Sequence, residues 1–128
     1  DHPLADLRSV SAAHLAREKF IRRSYLSDFR QLSDKYFHIL GIHPETVLIS
    51  DYPPFINELV ASNMGVALLP LLTWLYAREK NIHFLRIQDA RVFRCINIQW
   101  RRNGYLSRAA EQFIQHITEY FQNLRIPQ

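Results

Sequence analysis

Leu59-Val60-Ala61-Ser62-Asn63-Met64-Gly65-Val66-Ala67-Leu68-Leu69-Pro70, residues 59–70, is the stretch whose reading decides the fold. Phe55, Leu59 and Val60 lie on one side of a helix that follows Asp51-Tyr52-Pro53-Pro54. Asn63 tolerates left-handed backbone angles and can stop that helix. Residues 66–69 are wholly apolar, as expected of a short strand covered on both faces. Pro70 is tolerated in the first turn of a new helix. A helix, a tight turn, a buried strand and another helix in succession belong to an α/β chain.

The same punctuation runs in both directions from there. Residues 1–5 are expected to be extended, because Pro3 disfavours helix before it. Ser11 opens a short helix to Ala16, and residues 19–23 read as a strand ending in Arg22-Arg23. Asp28–Leu40 carries a strong helical signal: Ser27 and Asp28 are both cap residues, and Gln31 sits three past Asp28. Phe29, Leu32, Tyr36, Phe37 and Leu40 recur at helical spacing, and Gly41 supplies the left-handed stop. Residues 46–50 (TVLIS) are β-branched and short, hence a strand. Beyond Pro70 a helix is expected through Arg78, then strands over 83–87 and 92–100. The last helix spans 107–124, with Ala110, Phe113, Ile114, Ile117, Tyr120, Phe121 and Leu124 in one apolar stripe. Strands alternating with helices imply a mostly parallel sheet flanked by helices. The fold class is α/β.

Composition narrows the function. The 128 residues are 48% hydrophobic and 22% charged, with 16 aromatics, enough for one globular domain that folds without staples. The longest apolar run, residues 66–72, is far short of a membrane span, and Cys95 has no internal disulfide partner, which suits the cytoplasm. Three glycines form no phosphate-cradling loop. Sixteen Lys and Arg against twelve Asp and Glu give +4, and thirteen of the cations are Arg. They are scattered rather than striped, which favours a solvated basic surface over a nucleic-acid groove.

Six histidines show no metal-ligand spacing, so no metal and no cofactor are expected. No Ser sits in a Gly-x-Ser-x-Gly elbow, and Cys95 reads as a buried thiol within a strand, so the chain is not read as an enzyme.

Three runs carry a family resemblance. His2-Pro3-Leu4-Ala5 with Ala13-His14-Leu15-Ala16 and Phe20-Ile21 resembles the His-Pro-Leu-Ala … Leu-Ala … Phe-Ile run of LysR-type transcriptional regulators. Residues 59–70 resemble that family's Val-Ala-x-Gly-x-Gly-Ile-x-x-x-Pro signature, with Asn63 where Gly is usual. Ser107-Arg108-Ala109-Ala110 and Phe113-Ile114 resemble its last helix. The resemblance implies part of a type 2 periplasmic-binding-protein-like fold that senses a small-molecule effector between two subdomains. Residues 1–100 would be the second subdomain, and 101–128 the segment and helix returning to the first. The family's DNA-binding helix-turn-helix and most of the first subdomain would lie outside this chain.

Ligands of open α/β sheets bind beyond the carboxyl ends of strands. Two strand ends here feed helix starts, so Arg23, Ser27, Asp28, Phe29, Ser50, Asp51 and Tyr52 are the expected effector-binding residues. Arg23 or the free amides at 27–29 would meet an anion, whereas Asp28 and Asp51 favour an amine or hydroxyl or serve as plain caps. The resemblance further implies a homodimer through Leu32, Tyr36, Ile39, Val47 and Ile49. It also implies DNA contact only through the absent domain, and no membrane partner. A stand-alone interaction or ligand-binding module of the same architecture is the competing expectation. Without its first subdomain, the last helix would need cover from its own sheet or from a second copy.

Overall fold

The computed structural model describes residues 2–74, 81–89, 91 and 93–124. They divide into two compact units, Asp1–Arg94 and Cys95–Gln128. The first unit holds β1 (Ser9–Val10), α1 (Ala12–Leu15), β2 (Lys19–Arg22), α2 (Asp28–Leu40), β3 (Glu45–Ile49), α3 (Pro53–Ala61), α4 (Leu71–Trp74) and β4 (Arg86–Ile87). The second holds α5 (Arg108–Asn123).

All pairing among these strands is parallel. β1 lies beside β4 with Ser9 opposite Arg86 and Val10 opposite Ile87. β2 lies beside β3, from Lys19 opposite Glu45 to Arg22 opposite Ile49, with a register shift between Phe20 and Ile21. On its other side β2 meets Val66: the Ile21 amide donates to the Val66 carbonyl at 2.9 Å, and the Val66 amide donates to the Lys19 carbonyl at 2.8 Å. β2 is thus covered along both edges, and alternation sends its side chains to opposite faces. Phe20 joins Leu4, Val10, Leu15, Phe37 and Ile42, meeting the Phe37 ring edge-on with centroids 4.8 Å apart. Ile21 joins Ile56 and Leu59 of α3 on the other face.

The helix stops work as their residues suggest. Gly41 has φ 67°, and the Ile42 amide reaches back to the Phe37 carbonyl at 2.8 Å. α3 ends the same way with a different residue: Asn63 has φ 62°, and the Met64 amide reaches the Leu59 carbonyl at 3.1 Å. Both are left-handed closures that satisfy carbonyls of the last turn. Gly65 answers a separate demand, since a Cβ there would stand 2.6 Å from the Lys19 carbonyl oxygen. The chain can cross β2 that closely only without a side chain.

Several expectations are corrected. Residues 3–6 form turns instead of an extended segment, with the Ala5 amide on the His2 carbonyl at 2.9 Å. Of residues 66–69 only Val66 is bridged, and of 83–87 only Arg86–Ile87 is strand. Residues 93–100 are exposed and form no strand. Their β-rich composition favours a pleated surface, but a strand exists only where a neighbour accepts its hydrogen bonds. Cys95 is accordingly exposed, not buried. In α3 the buried apolar residues are Ile56 and Leu59, while Phe55 faces outward. The helix expected from Pro70 is seen as Leu71–Trp74, and residues 75–78 lie outside the described residues. α5 forms as expected, with Ser107 Oγ accepting the Ala110 amide at 3.2 Å, yet none of its residues is buried.

Candidate effector-binding site

Because β2 and β3 run parallel, the chain leaves both at the same end of the sheet. The Ser50 amide still donates to the Arg22 carbonyl at 2.9 Å, carrying the pairing one step past β3. Beyond that point the two exits are joined through side chains. Arg23 Nε donates to Asp51 Oδ1 at 2.8 Å, and the Ser24 amide donates to the same oxygen at 3.2 Å. Hydrogen bonds from Ser24 and then from Arg23 hold the Asp51 carboxyl below its ordinary value. The pair is open to solvent, so it adds little stability and instead sets the orientation of two loops.

Each residue expected at this end has a definite place. Ser27 is the α2 N-cap by backbone geometry, though its hydroxyl makes no capping bond, and Asp28 is exposed in the first turn. Phe29 is buried, so its ring is not presented to a ligand at this end. Ser50 Oγ accepts the Tyr52 amide at 3.2 Å, and Tyr52, largely exposed, is the α3 N-cap. Asp51 is therefore no cap; its carboxylate serves the neighbouring loop. Pro53 and Pro54 open α3 and supply no N–H, so that helix start is poor in donors. The better donor end is that of α2, although the Ser27 amide is not free as expected, since it donates to the Ser24 carbonyl at 3.1 Å.

Sequence reasoning missed what lies behind the loop. Arg30, almost wholly buried, donates from Nη1 to the Arg23 carbonyl at 2.8 Å and from Nε to Asp34 Oδ2 at 3.1 Å. Its guanidinium carbon sits 4.0 Å from the centroid of the Tyr25 ring. Arg22, also buried, is paired to Asp34 from β2 and lies over the Phe37 ring at 4.9 Å. The Arg30–Asp34 spacing of four was the one available signal, since such residues neighbour each other on a helix. Arg22 carried no local signal. A cavity of about 10 Å³ lies beneath the loop, lined by Arg22, Arg23, Phe29 and Ser33 among others. That is room for one water, so a metabolite at this end would rest on the loops rather than inside this unit.

The residues expected at a dimer contact separate. Val47 and Ile49 are exposed on β3, and Leu32 and Ile39 are half-buried on α2. Tyr36 is buried, and its hydroxyl donates to the Phe93 carbonyl. It faces the core because the helical stripe that holds Phe37 also holds Tyr36. Among the described residues no group of three His, Cys, Asp or Glu could hold a metal, and no helix is long and apolar enough to cross a membrane.

Comparison with known proteins adds the family. The model of the LysR substrate binding domain matches residues 1–122. The chain belongs to the LysR substrate-binding-domain family. The family is one of regulator domains and not of enzymes in general. Among curated relatives, the uncharacterized HTH-type transcriptional regulators YybE and YwbI of Bacillus subtilis are 29% and 26% identical over 121 residues each. Those alignments cover 94% and 93% of this chain but 41% and 40% of the relatives, so the chain spans about two-fifths of their length. Among solved structures, the CcmR regulatory domain of Synechocystis PCC6803 in complex with 2-PG aligns with a TM-score of 0.72 at 20% identity. It covers 97% of this chain and 60% of that one. The effector binding domain of QuiR in complex with shikimate aligns at 0.65 and 22%, covering 98% and 59%. The fold is thus that of LysR effector-binding domains, α/β and type 2 periplasmic-binding-protein-like. Within the LysR signature of residues 59–70, Asn63 and Gly65 have the structural reasons given above.

Proposed function

We propose that this chain is part of the effector-sensing regulatory domain of a LysR-type transcriptional regulator. In this reading, residues 1–100 are the second subdomain and 101–128 return to the first. A small-molecule effector rests on the ends of β2 and β3, meeting Arg23, Ser27, Asp28, Ser50, Asp51 and Tyr52, with Phe29 contributing its amide. The observation that carries the reading is the junction at this sheet end, where Asp51 joins Arg23 to the Ser24 backbone in a chain of this family. Arg23 and the donor-rich start of α2 favour an anionic effector. The ligands named with the neighbours, 2-PG and shikimate, support the choice, since shikimate is a hydroxylated carboxylic acid.

A cytoplasmic homodimer, with Leu32, Ile39, Val47 and Ile49 at the contact, completes the reading. DNA contact would belong to a helix-turn-helix domain outside this chain, and effector binding would reach it through oligomerisation. The test is metabolite screening of the intact regulator by thermal shift, followed by Arg23→Ala and Ser27→Ala. A bound effector at a hundredfold excess over its Kd stabilises by about 2.7 kcal/mol, and both variants should lose most of that shift. Unchanged affinity and induction in both variants would mean that the effector lies elsewhere.

A further inference from the structure

A guanidinium can grasp an oxyanion in two ways: side-on through Nε and one terminal nitrogen, or end-on through the two terminal nitrogens. At Arg23 the choice has been made. Nε is committed to Asp51 Oδ1 at 2.8 Å, and that oxygen also holds the Ser24 amide at 3.2 Å. Asp51 therefore cannot swing away without releasing backbone as well as side chain. From behind, Arg30 Nη1 holds the Arg23 carbonyl at 2.8 Å, with Arg30 itself paired to Asp34 and stacked on Tyr25. The two terminal nitrogens of Arg23 have no bond among the described residues, and its side chain is partly exposed. Across the sheet end, Pro53 and Pro54 offer no competing amide.

We propose that Asp51 is a positioning residue that fixes Arg23 to receive an oxyanion end-on, through its two terminal nitrogens alone. The proposal rests on the effector reading above and gives it a chemical class: a group with two oxygens on one centre, a carboxylate or a phosphate. Asp51 and Arg23 together are neutral, so the attraction is short-ranged and geometric. An ester or amide presents one acceptor oxygen where two are needed and is rejected. A lysine at position 23 has one point of charge, which Asp51 would occupy, leaving nothing for the anion.

Inorganic phosphate is a sufficient probe, read on the arginine side-chain resonances of isotope-labelled chain by NMR. In the natural chain, phosphate should move the terminal nitrogens of Arg23 and leave Nε at its Asp51-bonded position. Asp51→Ala should weaken the response roughly tenfold and make Nε move together with the terminal nitrogens, because the freed guanidinium can turn side-on. Asp51→Asn keeps an acceptor oxygen and should restore the natural pattern, which a general loss of folding would not. Nε and terminal nitrogens moving together in the natural chain, no effect of Asp51→Ala, or no response of Arg23 to phosphate would each overturn the proposal. The effector reading fails separately: in that case the intact regulator's metabolite affinity is indifferent to Arg23→Ala, whatever phosphate does.

Discussion

α2 and α5 are both amphipathic, both have a serine at the N-cap position, and are 13 and 16 residues long. α2 buries Phe29, Arg30, Ser33, Tyr36 and Phe37. α5 buries none, and Phe113 on its apolar stripe is 60% exposed. An amphipathic pattern states which face of a helix wants cover; it does not say what supplies the cover. In α2 the supplier is β2, whose Phe20 meets Phe37 and whose Arg22 reaches Asp34. α5 keeps its helix by local means, through the Ser107 cap and pairs four apart such as Gln115 to Glu119 at 2.9 Å. Such pairs contribute only a few tenths of a kcal/mol each, against about 1.5–3 for burying one large apolar side chain.

The sharpest way to break the contrast is to truncate one ring on each helix. Phe37→Ala should cost about 3–5 kcal/mol in urea unfolding of this chain, and Phe113→Ala less than about 0.5. Equal costs would mean that α5 has a cover in solution, and sedimentation would then show whether a second copy provides it. Charge gives a smaller contrast. Asp34→Ala leaves the buried guanidiniums of Arg22 and Arg30 without their shared carboxylate and should cost about 1.5–3 kcal/mol, solvent access to Asp34 holding it below a fully buried loss. Glu119→Ala on α5 should stay within about 0.5 kcal/mol by the same measurement.

The smallest effect concerns pH. Hydrogen bonds and charge from Arg91 hold the Asp89 carboxyl down to about 2, from an ordinary 3.8. Asp51 is lowered in the same sense by Ser24 and Arg23. A depressed folded-state value means that the charged form favours the folded chain above the ordinary value. For Asp89 that contribution is lost as pH falls from about 3.8 to about 2. Asp51 is exposed and Asp89 half-buried, so salt should weaken the effect at both, more at Asp51. NMR titration should put the Asp89 midpoint near 2 and Asp51 below the ordinary range. An ordinary midpoint for Asp51 would also remove the link between the two strand exits.

Much of this was local and therefore readable in the residues. Gly41, Asn63 and Ser107 mark helix ends because their side chains or their tolerance of left-handed angles act within one turn. The stripes of α2 and α5 follow from a fixed helical period. The strands were less readable: residues 92–100 have the composition of one, but a strand is completed by a partner that no local pattern contains. The candidate site was half readable. That loops after parallel strands hold it follows from topology, which names Arg23 and Asp51 separately.

Only the tertiary structure made those two residues a pair, 28 positions apart, and buried Arg22 while leaving its neighbour Arg23 partly open. The physical reason is one of register. Side chains alternate across β2, so a single step along the strand decides between the Phe37 side and the Ile56 side. The step itself is set by pairing with β3 and Val66. Gly65 shows the same division at one position: the residue is plain in the sequence, but the Lys19 carbonyl that excludes its side chain arrives only when the sheet closes.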